Sequence, residues 1–229
     1  MKPVFLKFTL PLVGEVVFPA YMTMLLVGYV VAMWLATREE DRTGGRGQAV
    51  ADMCLWMLVL GVLGARALSV LADGKLRDFI NLCVEPKLVE AVDAKVSFCT
   101  TDQQCGYDYL CDLATNKCYP PRDCLFALKF WEGGLAYYGG FLFAVPFGIW
   151  YAARKRLGVW RIVDLLAPYV ALGLFFGRLG CFFTGCCFGS HTNLPWAVSF
   201  PGHPHVHPAQ LYEAGGALLI FVILYFYQR

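Results

Sequence analysis

The chain has 229 residues, 58% of them hydrophobic and only 16% charged, with a mean hydropathy of +0.54 and a net charge of +2. A soluble domain carries about a quarter charged residues, so that class is excluded, as is the strongly basic surface that a nucleic-acid partner requires. The apolar residues gather instead into runs long enough to cross a bilayer, which predicts an all-α fold, a polytopic transmembrane helical bundle.

At the N-terminus Lys2 and Lys7 precede an apolar run, as in a secretory signal, but Pro11, Glu15 and Pro19 interrupt it and no small-residue cleavage site closes it. Roughly the first seventeen residues therefore read as an interfacial helix or turn on the outer face. Five spans follow, at Val16–Ala36, Val50–Leu71, Leu135–Ala153, Ile162–Phe183 and Leu211–Tyr227. Each is near the length of about 17–25 residues that a helix needs. Basic residues cluster between the first two spans (Arg38, Arg42, Arg46) and between the third and fourth (Arg154, Lys155, Arg156, Arg161), whereas Thr184 to Ala209 contains no Lys or Arg. Lys and Arg concentrate in short cytoplasmic loops, so both basic turns are expected inside, with the N-terminus and the loop after Phe183 outside.

The polar stretch from Asp73 to Lys129 falls outside in this scheme and contains Cys83, Cys99, Cys105, Cys111, Cys118 and Cys124. Even numbers of closely spaced cysteines make a disulfide framework outside the reducing cytosol, and the lack of Cys-x-x-Cys pairs argues against zinc. Six cysteines allow fifteen pairings, and spacing does not choose among them. The chain accordingly divides into residues 1–72 (N-terminal arm and two spans), 73–129 (Cys-rich extracytoplasmic loop) and 130–229 (three further spans).

Asp52, Arg66, Glu132, Asp164, Arg178 and Glu213 lie in or beside the spans, where an ionised group costs about 2.5–3.5 kcal/mol even on the mildest scale. Asp52 and Asp164 sit near the inner boundary and read as snorkelling side chains. Arg66 and Arg178 lie toward the outer ends of their spans. Two arginines at one depth repel unless an anion separates them, either a carboxylate (Glu132 or Glu213) or a lipid phosphate, which a guanidinium binds bidentately. Gly133, Gly134, Gly139, Gly140, Gly177, Gly180, Gly185 and Gly189 gather at the same level. Glycine permits close backbone approach and broken turns whose N–H groups hold an anion, which favours a ligand site.

The run Gly177-Arg178-Leu179-Gly180-Cys181-Phe182-Phe183-Thr184-Gly185-Cys186-Cys187-Phe188-Gly189 resembles the signature of prolipoprotein diacylglyceryl transferases, Gly-Arg-x-Gly-Asn-Phe-x-Asn-Gly-Glu-x-x-Gly. Glu132-Gly133-Gly134-Leu135-Ala136-Tyr137-Tyr138-Gly139-Gly140 resembles the family's Glu-Gly-Gly-x-x-x-His-Gly-Gly. His207-Pro208-Ala209-Gln210-Leu211-Tyr212-Glu213 resembles its His-Pro-x-Gln-Leu-Tyr-Glu. Tyr21 matches a first-helix tyrosine, and Leu63-Gly64-Ala65-Arg66 a second-helix motif. The resemblance implies a multi-pass enzyme of the bacterial inner membrane, its Cys-rich loop periplasmic, that moves the diacylglyceryl group of phosphatidylglycerol onto the lipobox cysteine of a preprolipoprotein signal peptide. Glycerol phosphate is released, with no cofactor and no metal. Arg178 would hold the leaving phosphate, and Tyr138, in the histidine's place, would orient phosphate or thiol. Arg66, Tyr21, Gly139, Gly140, Gly189, Gln210, Tyr212 and Glu213 would line the substrate site.

This sequence departs from the pattern at Tyr138 (His in the family), Cys181 and Thr184 (Asn) and Cys186 (Glu). A phenol with a pKa near 10 is a poor general base, which leaves the proton acceptor unassigned. The family also has two more helices, with a second arginine near the outer end of the sixth. Two rival readings stand beside the enzyme: a non-enzymatic phospholipid-binding membrane protein with an extracytoplasmic interaction loop, and metal binding by His203, His205 and His207. Cys181, Cys186 and Cys187 are redox groups, metal ligands or, more simply, packed free thiols.

Overall fold

The computed structural model describes residues 4–10, 14–72, 76–89, 99–105, 110–124 and 136–228. Contacts group the chain into two compact units, Met1–Trp56 with Phe147–Arg229, and Met57–Pro146. Among the described residues the architecture is mostly helical rather than all-α, because three two-stranded antiparallel hairpins accompany the helices.

The first unit opens with strand β1 (Val4–Leu10) paired to β2 (Gly14–Pro19), Leu10 opposite Gly14. A hairpin thus replaces the expected interfacial helix or turn. Val, Phe and Thr favour a pleated ribbon, and Pro11 lacks the amide that a continuing helix would require. Pro19 caps helix α1 (Ala20–Arg42), which packs on α6 (Val159–Thr184), which in turn packs on α7 (Ala209–Tyr227). The α1–α6 pair is close. A Cβ on Gly28 would sit 2.5 Å from the Phe176 Cβ, and one on Gly180 would sit 3.1 Å from the Tyr21 Cα. Small residues at such crossings are what let helices associate where lipid removes the hydrophobic drive.

Helix α1 runs six residues past the expected Ala36, through charged sequence, because each acid there has a partner. Arg42 pairs with Glu39 one turn away. Glu40 is 1% exposed and accepts from the Arg161 guanidinium at 3.0 Å. Arg46 donates to the Lys155 and Arg156 carbonyls. Both basic turns therefore meet at one end of this unit.

The second unit takes in α2 (Gly47–Ala72) from Met57 onward and α5 (Tyr137–Arg154) up to Pro146. The two helices touch through glycines: a Cβ on Gly64 would lie 2.7 Å from the Gly139 carbonyl, and the Ala136 amide donates to the Ala65 carbonyl at 3.1 Å. Between them lie α3 (Leu76–Val84), a 3-10 turn (Pro86–Leu88), α4 (Asp102–Cys105) and a hairpin of β3 (Leu110–Asp112) with β4 (Lys117–Tyr119). Three disulfides hold this segment: Cys83–Cys124, Cys99–Cys111 and Cys105–Cys118. Cys99, Cys105 and Cys118 are buried against one another with Cys111 beside them, so sulfur is the core of a module too small to bury much else. Lys87 pairs with Asp112 at 2.9 Å, which raises the Lys87 ammonium above its ordinary range and holds the Asp112 carboxyl below its own.

Among the described residues four helices are long and apolar enough to cross a membrane: Ala20–Arg42, Gly47–Leu71, Val159–Thr184 and Ala209–Tyr227. The third expected span forms the 18-residue helix α5 but is not among them. Its tyrosines, its glycines and the internal Pro146 lower its hydropathy.

Peptide mapping under non-reducing conditions should recover the pairs 83–124, 99–111 and 105–118, and thiol titration of the denatured, unreduced chain should count four free cysteines, Cys54, Cys181, Cys186 and Cys187. Replacing both members of the Cys99–Cys111 pair should cost this segment about 3 kcal/mol, the value for a loop of that length.

Candidate functional site

The site grows from the way α6 ends. Gly185 follows Thr184 in the left-handed region (φ 80°), and its amide donates to the Cys181 and Phe182 carbonyls. The next amide, of Cys186, reaches back to the Cys181 carbonyl at 3.1 Å. This 6→1 closure needs a residue without a Cβ penalty, which glycine supplies. It folds Cys186 back over the last turn of the helix. Cys187 is also left-handed (φ 62°), and the chain then zips against the segment before α7: Gly189 amide to His207 carbonyl at 2.9 Å, His207 amide to Ser190 carbonyl at 3.0 Å. A Cβ on Gly189 would lie 2.9 Å from that of His207.

Helix α7 starts directly after Pro208, which fixes its first turns against the end of α6. Gln210 and Glu213, three apart, both reach α6 or its cap. The Glu213 carboxylate meets the Arg178 guanidinium at 2.5 Å, each side chain partly exposed. Gln210 is fully buried; its Nε2 donates to the Cys186 carbonyl at 2.5 Å, while its Oε1 has no hydrogen-bond donor among the described residues. A buried orphan acceptor costs about 1–3 kcal/mol, so this oxygen is a ready receptor for an incoming O–H. Tyr21 lies where α1 crosses Gly180, two residues after Arg178 on α6. The Tyr212 hydroxyl accepts from the Trp196 indole at 2.7 Å and bonds the His207 Nδ1 at 3.2 Å.

The first unit therefore brings together Arg178, Glu213, Gln210, Tyr21, Tyr212 and Gly189. The second unit carries the other expected residues. Arg66 is 7% exposed with its guanidinium 5.5 Å from the Phe79 ring centre, and Gly139 and Gly140 pack on α2. Tyr138 is 78% exposed, its ring edge-on to Tyr137. Glu132, Gly133 and Gly134 lie outside the described residues.

One contributor escapes sequence reasoning: Trp196, in a loop without periodicity, reaches the site through the Tyr212 hydroxyl, which His207 also bonds. Sequence marks Cys181, Cys186 and Cys187 as candidates, and the structure brings their sulfurs within 4.8 Å of one another. Burial, and the neighbouring Cys187 sulfur, push the Cys186 thiol up to about 12. The histidine tract does not converge. His203 packs on Phe188 at 4.6 Å, the His205 backbone accepts from the Thr192 amide and donates to the Ser199 hydroxyl, and His207 faces Tyr212.

Bilayer-length helices with a half-exposed arginine–carboxylate pair at the end of one span make this a multi-pass membrane protein with a polar site at the edge of its bundle. The family profile described as prolipoprotein diacylglyceryl transferase matches residues 8–93 and 104–229. The phosphatidylglycerol–prolipoprotein diacylglyceryl transferase of Nitratidesulfovibrio vulgaris strain Miyazaki F is 32% identical over 224 residues, covering 95% of this chain and 68% of the relative. The protein of the same description from Vibrio vulnificus is 30% identical over 223 residues, covering 95% and 67%. The chain belongs to the prolipoprotein diacylglyceryl transferase family.

Replacing Gln210 tests how the α6 cap is held. Gln210→Glu keeps the shape but turns an acceptor toward the Cys186 carbonyl, and should lower stability in detergent by about 1–3 kcal/mol. A thermal melt reads the loss.

Proposed function

We propose that this protein transfers the diacylglyceryl group of phosphatidylglycerol to the lipobox cysteine of a preprolipoprotein, at a site on the outer side of the bacterial inner membrane. Family membership supports the reaction, and one observation carries the site: Arg178 stands at the end of a span against a single carboxylate, Glu213. A phosphate can replace that carboxylate on the planar guanidinium, whereas a fully buried pair would exclude it.

In the transfer the lipobox sulfur attacks the glycerol carbon that bears the phosphate. The C–S bond forms as the C–O bond breaks, and glycerol phosphate leaves with the electron pair. Arg178 neutralises the charge that develops on the leaving phosphate. Its exchange from Glu213 to phosphate frees that carboxylate to accept the thiol proton, a role that a phenol such as that of Tyr138 serves poorly. The unpaired Gln210 oxygen is suited to a hydroxyl of the glycerol headgroup. Arg66, Tyr21, Tyr212, Gly139, Gly140 and Gly189 are assigned to substrate binding by their positions in the family motifs. The charge asymmetry of the loops supports the N-terminus and the disulfide module outside, and the meeting of both basic turns at one end is what this topology demands.

The decisive assay incubates the purified full chain with phosphatidylglycerol and a lipobox peptide and looks for glycerol phosphate and a thioether adduct. Binding of phosphatidylglycerol without turnover would favour the non-enzymatic lipid-binding relative, which the replacement of the family's His and Glu by Tyr138 and Cys186 also suits.

Arg178→Lys keeps the charge and loses the fork, so turnover should fall about 100-fold or more while the protein still folds. Unchanged rates or lipid affinity in this variant would remove Arg178 from the site. Tyr138→Phe should lower the rate modestly and leave its pH dependence unmoved, since the phenol only donates a hydrogen bond. Tyr138→His should leave the pH dependence unmoved if Glu213 accepts the proton, whereas a higher rate with a new inflection near pH 6.5 would place the missing base at position 138 and overturn the Glu213 role.

A further inference from the structure

The transfer reaction leaves the three sulfurs at the end of α6 unused. Cys181 is buried in the last turn, Cys186 is half-buried on the reversed cap, and Cys187 is exposed, yet their Sγ atoms lie within 4.8 Å of one another, with Cys186 and Cys187 at 3.4 Å. Sequence spacing alone would not predict this. An i,i+5 pair on a continuous helix points to different faces, and only the 6→1 closure at Gly185 returns Cys186 to Cys181. The Gln210 side chain then pins the Cys186 carbonyl, so the arrangement is braced from α7.

We propose that Cys181, Cys186 and Cys187 form a three-thiolate site for a single thiophilic d10 metal ion such as Cu+ or Zn2+. Metal–sulfur bonds of about 2.3 Å put three sulfurs about 4 Å apart around a trigonal ion, within an ångström of the separations here. Soft thiolates select these ions over Mg2+ or Ca2+. Binding is a proton exchange: three S–H groups lose three protons, and a divalent ion leaves the complex with one negative charge. Arg178, three residues before Cys181 on the same helix, stands next to that charge. No histidine joins the cluster among the described residues, so a fourth position stays open to solvent or an exogenous ligand. A disulfide is the competing fate of three close thiols. Adjacent cysteines close a strained ring, however, and Cys181 is held in the last turn of α6.

The test uses the full chain in detergent, reduced with a phosphine and titrated with Cu+ against a chromogenic chelator, then with Cd2+ as the spectroscopic probe. One equivalent should bind beyond what the triple serine variant takes up, with a sulfur-to-cadmium charge-transfer band that the variant lacks at that stoichiometry. Each of Cys181→Ser, Cys186→Ser and Cys187→Ser should weaken binding by more than the ~10–100-fold that losing a group merely supporting a ligand costs. His203→Ala with His205→Ala should leave binding unchanged. The triple serine variant measures uptake by loop cysteines released on reduction. Equal binding by the triple variant and the native chain overturns the proposal, as does binding that follows the histidines. A disulfide among the three cysteines in chain isolated without reductant, with no metal uptake after reduction, overturns it too. Should a serine variant fail to fold, alkylation of the native chain decides: bound metal should shield the exposed Cys187 from maleimide and a chelator should restore labelling, whereas labelling unaffected by metal refutes the site.

Discussion

An ionised side chain at the edge of a hydrocarbon layer must find a countercharge, and helix α6 meets that constraint at both ends. Arg161 sits on the buried Glu40 of α1 near the start, and Arg178 sits on Glu213 of α7 near the end. About 25 Å of apolar helix separates them, at the ~1.5 Å rise of each residue. The two pairs differ in burial, and that difference divides their roles. Glu40 is sealed, so its partner is a fixed structural lock. Glu213 is half exposed, so its partner can be exchanged for a ligand.

The same helix explains why the site lies where it does. Close crossings at Gly28 and Gly180 bring α1 against α6, and the left-handed Gly185 stops α6 abruptly. The chain leaving that cap must return to the bundle, and it does so by pairing backbone with the stretch before α7. Pro208 then starts α7 at a point from which Gln210 and Glu213 reach back to the cap. Among the described residues the buried Gln210 oxygen has no donor, a cost tolerated where a ligand can relieve it. The Cys-rich module solves a different problem with a different bond. Too few apolar residues are available there for a core, so disulfides take its place.

Much of this was legible beforehand. Apolar runs of bilayer length mark the spans because lipid leaves backbone groups no partner but the helix itself. Six cysteines in one polar stretch mark a disulfide module, Arg178 and Glu213 stand out as charges where charge is expensive, and Gln210 is marked by the family motif it matches. Other features were not. Helix α1 outruns its apolar sequence because Arg42 and Arg161 neutralise its acids, and Arg161 is 121 residues away from Glu40. The N-terminal arm pairs as a hairpin because strand formation depends on a partner strand that periodicity does not reveal.

By itself the sequence determined the membrane class, the disulfide module and the family, since each rests on composition or on contiguous residues. Tertiary structure alone decided which cysteines pair, which carboxylate Arg178 meets, and that Cys181, Cys186 and Cys187 share one corner. These depend on chain reversals that bring distant residues together, and a reversal is governed by backbone torsions and packing whose outcome no local run of residues encodes.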